Sequence, residues 1–126
     1  MARRLLVPVM IVLFFGAALI GCKTDSEPTY TVWALTMSYT QFSSQIGTMN
    51  DNTYDSGELT DGSFANLSAL QTNDNKRVLT EDQLRNYFRD RGFSSTQASQ
   101  LTVWLISVRH GMVVDRAGQT VSIIFK

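Results

Sequence analysis

Sixteen consecutive uncharged residues, Leu5 to Ile20, are apolar except for Pro8 and Gly16 and set the terms for everything downstream. Met1-Ala2-Arg3-Arg4 precedes them, and Gly21-Cys22 and the polar stretch Lys23–Thr29 follow. A membrane-spanning helix needs about 20 apolar residues. An export signal has a shorter apolar region, a basic start and small residues at its end. The chain fits the second pattern, so residues 1–21 are excluded from the fold. Cleavage before Cys22 leaves 105 residues, the size of one domain. A chain of that size buries roughly 60–70% of its unfolded surface, enough for one core. Cys22 is the only cysteine, so an intrachain disulfide and a cysteine metal site are excluded. The fold must rest on apolar packing.

The four residues Leu19-Ile20-Gly21-Cys22 resemble the lipobox of bacterial lipoprotein precursors: an aliphatic residue, a small or aliphatic one, a small one, then cysteine. The resemblance covers residues 1–22 only. It implies diacylglyceryl attachment to the Cys22 thiol, cleavage before it, and further acylation with palmitate-type chains. Each buried methylene contributes about 0.8 kcal/mol, and one chain anchors only marginally, so two or three chains on one residue are needed for stable attachment. In that family, aspartate after the cysteine favours inner-membrane retention in some Gram-negative bacteria. Lys23 stands there, which implies an outer-membrane address if the cell has an outer membrane. Residues 22–29 then form the lipidated N-terminus and a short tether, and residues 30–126 a single domain.

Eleven basic residues balance eleven acidic ones, and losing Arg3 and Arg4 leaves the exported part mildly acidic. Residues 23–75 hold one basic and seven acidic residues, residues 76–126 eight basic and four acidic. So mild a net charge argues against a dedicated nucleic-acid binder. The basic second half fits either ordinary solvation or an anionic partner such as lipid headgroups.

Tyr30–Met37 alternates with period two, Trp33, Leu35 and Met37 on one face and Val32 and Ala34 on the other. Both faces are apolar enough for a strand covered on both sides. Ser38 with Gln41 reads as a capping box opening a helix with Tyr39, Phe42 and Ile46 inward and Gly47 as terminator. Residues 48–56 read as a loop, with a short strand near Tyr54–Leu59. Thr60 caps a helix from Asp61 to about Gln71, with Leu59 and Phe64 in staple positions. Gln71–Lys76 reads as a turn. Thr80 with Gln83 repeats the box, placing Leu84, Tyr87 and Phe88 inward until Gly92, with Phe93 following. Ser94 or Ser95 starts a helix to about Arg109, its stripe being Ala98, Leu101, Trp104, Leu105 and Val108, and Gly111 its stop. Met112–Val114 and Thr120–Phe125 form a hairpin around Asp115–Gly118. The expected fold is α+β: a small antiparallel sheet of the N-terminal strand and C-terminal hairpin, packed against three to four helices.

Candidate sites are sparse. Arg85, Arg89 and Arg91 make one helix basic and are the candidate anionic-ligand face; Glu81 precedes Arg85 by one turn and is placed to pair with it. His110 is the only histidine, and no Gly-x-Ser-x-Gly elbow accompanies it. It is expected to cap carbonyls at a helix end rather than act as a base. Asp51, Asp55, Glu58 and Asp61 cluster in sequence and are the candidates for carboxylate chemistry. Residues 72–84 fail the calcium-loop pattern at the first, sixth and last positions, with Lys76 where a ligand belongs. Leu79–Leu101 is similar in outline to SAP-type and ubiquitin-associated helical hairpins, but it lacks the SAP loop glycine and lysine. A glycine cap, an apolar anchor and a serine cap join any two helices this way. No metal and no cofactor is expected.

The sequence thus predicts a non-enzymatic binding domain held on a bilayer through Cys22, on the extracytoplasmic side, its partner an envelope or extracellular protein or polymer and not nucleic acid. The alternatives are a small hydrolase using His110 or the loop carboxylates, and a structural envelope subunit.

Overall fold

A computed structural model describes residues 27–126. The lipobox and Cys22 lie outside the described residues. Nine elements follow in order: β1 (Thr29–Ser38), α1 (Tyr39–Gln45), β2 (Tyr54–Glu58), α2 (Asp61–Ser68), β3 (Lys76–Thr80), α3 (Glu81–Asp90), α4 (Ser95–Ser107), β4 (Gly111–Ala117) and β5 (Thr120–Phe125). The strands form one antiparallel sheet in the order β2-β4-β5-β1-β3. The expected α+β fold is therefore correct, and the N-terminal strand does join the C-terminal hairpin: Trp33 pairs with Phe125 and Ser38 with Thr120.

The sheet has five strands rather than three. β2 closes one edge against β4, and β3 the other against the first half of β1. β3 (KRVLT) overlaps the stretch expected to be a turn; only Leu79 of its five side chains packs into a core, while Val78 stays 54% exposed. Lys76 and Arg77 blunt this edge against further pairing.

Period two divides β1 between two cores. Val32 faces α3 and α4, in a core with Leu84, Phe88, Leu105, Val113 and Ile124. Met37 faces α1 and α2, in a core with Phe42, Leu67, Val121, Ile123 and Phe125, and Trp33 stacks on Phe125 at 5.9 Å. Helices thus cover both faces, which explains why neither face of β1 is polar.

The expected caps form. Ser38, Thr60, Thr80 and Ser94 each accept from the backbone N–H three residues on. At Thr80 and Ser94 the box is reciprocal, through Gln83 and Gln97. Each cap contributes typically about 1 kcal/mol. Gly92 ends α3 at φ +100, a conformation open to glycine at little cost. The hairpin turn sits later than Asp115–Gly118: Ala117 pairs with Thr120, and Gly118 at φ +64 opens a two-residue loop.

Three expectations are corrected. α2 ends at Ser68, short of Gln71. α4 ends at Ser107, and its inward stripe adds the wholly buried Thr102 to Ala98, Leu101 and Leu105, with Trp104 half-buried against the same core as expected. Gly111 does not stop this helix; it opens β4, where a Cβ would collide with the side chains of Val108 and Leu105. The close approach of α4 to β4 requires glycine there. No helix among the described residues is long and apolar enough to cross a membrane.

Candidate functional site

One row of paired residues crosses four strands on the α3–α4 face: Tyr54 opposite Asp115, Asp115 opposite Ser122, and Ser122 opposite Thr36. The next row inward, which includes Val113 and Ile124, belongs to the core. The change from apolar to polar side chains marks where the two helices stop covering the sheet. The C-terminal end of α3 overhangs this boundary. Its cap places Arg91 against Asp115, with Nη2 at 3.1 and 3.2 Å from the two carboxylate oxygens. Gly92 then reverses the chain, and Phe93 returns its N–H to the Phe88 carbonyl. The Phe93 ring meets Tyr54 edge-on at 4.8 Å. Gln97 reaches the Tyr54 hydroxyl at 3.4 Å.

Two open depressions meet at Arg91. The larger, about 360 Å³, is lined by Tyr54, Phe93, Gln97, Asp115 and the loop residues Asn52 and Thr53. The smaller, about 290 Å³, is lined by Thr36, Ser122, Arg77 and Tyr87. Burial raises the Tyr87 phenol above its usual value, and the nearby Arg91 guanidinium pulls it back by less. Tyr54, at 44% exposure, is the most accessible ring of the groove.

The rim is held by Arg116. Its guanidinium lies 3.5 Å from the Tyr39 ring centre and donates to the Met49 and Gly118 carbonyls. Asp51 accepts from the Gly118 N–H at 2.6 Å. Together these fasten the long loop after α1 to the β4–β5 turn.

The three arginines read from the sequence do not act together. Arg85 is engaged by Glu81 and Asp82 on its own helix. Arg89 is exposed and has no ion pair among the described residues. Arg91 lies two residues further round the helix and turns to β4 instead. His110 does not cap a helix: its ring stacks on Phe64 at 3.8 Å, and its buried Nδ1 has no partner among the described residues. Asp115, the acid nearest His110 in sequence, belongs to Arg91. The carboxylates also separate. Asp51 serves the hairpin turn and Asp55 accepts from the next N–H. Glu58 lies on the opposite face of β2 from Asp55, and Asp61 is in the first turn of α2. Among the described residues, no three or more acids, histidines or cysteines come together as a metal site.

Tyr54, Phe93 and Asp115 are the groove residues the sequence reading did not single out. Asp115 falls in the stretch expected to turn, and Tyr54 where the expected loop gives way to a short strand. Only the hairpin register turns Asp115 toward α3, and an aromatic opening a short strand among polar residues is the one local sign of Tyr54. No protein-family model, curated protein or solved structure matches this chain.

Proposed function

We propose that this chain is a bacterial lipoprotein anchored by acylated Cys22, and that its α+β domain is a non-enzymatic binding module on the extracytoplasmic face of the membrane. The observation that carries the binding reading is the groove around Arg91–Asp115 and its place in the fold. β1 begins at Thr29, paired with Thr80 beside the start of α3. Thr36, on the groove, is seven residues further along, roughly 23 Å at ~3.3 Å per residue. The groove therefore lies at the pole of the domain away from the tether, which favours a partner beyond the membrane surface over lipid headgroups. The mixed lining of ring, amide, hydroxyl and paired charge supports recognition. His110 and the loop acids, dispersed as they are, lend no support to hydrolysis.

A photo-reactive residue placed at Tyr54 of the native, membrane-bound protein tests this. Cross-links to a defined envelope or extracellular partner should form there and be absent from the same probe at Val103, exposed on α4. Equal labelling at Val103, or none at Tyr54, would refute the assignment of the binding face.

A further inference from the structure

We infer that the groove takes an uncharged glycan chain. The inference rests on reading this groove as a binding site, and the chemistry of its lining decides the ligand class.

The first observation is charge. Arg91 is the guanidinium that the two depressions share, and Asp115 already holds it. The guanidinium of Arg116 is committed to Met49, Gly118 and the Tyr39 ring. Arg77, in the smaller depression, donates to the Asp74 and Lys76 carbonyls. A phosphate or carboxylate ligand would have to take Arg91 from Asp115 and sit beside that carboxylate. A neutral polyol would not: Asp115 accepts from its hydroxyls, while Arg91 and the side-chain amides of Asn52 and Gln97 donate to them.

The second observation is the ring. Tyr54 is exposed, and its T-shaped contact with Phe93 holds it in place. A sugar ring offers hydroxyls at its rim and C–H groups on its faces, matching a fixed aromatic surface surrounded by planar polar groups.

The third is length. The row Tyr54, Asp115, Ser122, Thr36 spans three inter-strand spacings, about 14 Å, which is longer than one sugar ring. Only Tyr54 of the row lies on an edge strand, and the row runs across the strands, so a peptide pairing along the edge of β2 would not follow it. Side chains alone do the recognising.

Calorimetry on the full-length chain in detergent tests this with three probes: a β-1,4-linked N-acetylglucosamine tetramer, maltotetraose and inorganic phosphate. At least one tetramer should bind, and Tyr54→Ala should weaken it at least tenfold, as should Asp115→Asn. The melting temperature of Tyr54→Ala should stay within a few degrees of the parent because the ring is exposed. Preference for the amino-sugar tetramer marks a cell-wall source, and preference for maltotetraose a surface or extracellular polysaccharide; either outcome supports the inference. Binding of phosphate with neither tetramer overturns it, as does tetramer binding unchanged in both variants. If neither tetramer binds while the Tyr54 cross-link to a protein partner persists, the glycan inference fails and the binding-module reading stands. If a tetramer binds and new reducing ends appear, the glycan assignment stands and the non-enzymatic reading fails.

Discussion

Thr102 is wholly buried in α4, and its hydroxyl has no hydrogen-bond partner among the described residues. Thr102→Val replaces that hydroxyl with a methyl group of nearly the same shape. An unmade hydrogen bond on a buried polar group costs about 1–3 kcal/mol, and a newly buried methyl contributes up to ~0.8 kcal/mol. Both residues are β-branched, so their helix propensities nearly cancel. The expected result is a gain of about 1–2 kcal/mol. A domain of this size shifts by about 4–8 °C per kcal/mol, so the melting temperature should rise by roughly 5–15 °C. Most substitutions destabilise, so the sign alone is informative. Urea unfolding of residues 23–126, monitored by circular dichroism, gives the measurement: the midpoint should rise with an unchanged slope. Thr102→Ser, which keeps the hydroxyl and loses the methyl, should fall below the parent. A Thr102→Val protein less stable than the parent would refute the reasoning, because the hydroxyl would then have a partner, most simply a carbonyl one turn back in the helix.

Cys22→Ser should leave an uncleaved, unacylated precursor; mass spectrometry finding normal processing would remove the lipoprotein assignment. Gly111→Ala should destabilise by about 1–3 kcal/mol in the same urea assay, since Val108, Leu105 and Trp104 crowd the new methyl. A double-mutant cycle on Arg91 and Asp115 should give a coupling of only about 0.2–1 kcal/mol that weakens with added salt, because both side chains remain about a third exposed. Burial raises the Tyr87 pKa above 10.0, so the fold favours the neutral phenol. That stabilisation is complete below pH 10 and is lost as pH climbs through the raised value. Tyr87→Phe should therefore flatten the alkaline limb of the stability profile, and an unchanged limb would count against it.

Apart from the joining of the N-terminal strand to the C-terminal hairpin, what is legible in the sequence is local. Ser38, Thr60, Thr80 and Ser94 each bond an N–H three residues away, and those bonds place all four helix starts. Alternation in Tyr30–Met37 follows from the two-residue period of a strand, and its two apolar faces required cover on both sides. Gly92 marks its helix end because its conformation depends on that one backbone position. Tertiary structure decided the rest. β3 carries a single core residue, so it forms by pairing with β1 and left no periodic pattern to read. Gly111 is glycine because of what packs over it, not because of the helix before it. The groove depends on a pairing across 24 residues, Arg91 with Asp115, and on a register that brings Tyr54, Ser122 and Thr36 into line. Such contacts join parts of the chain that share no local signal, and only the closed sheet brings them together.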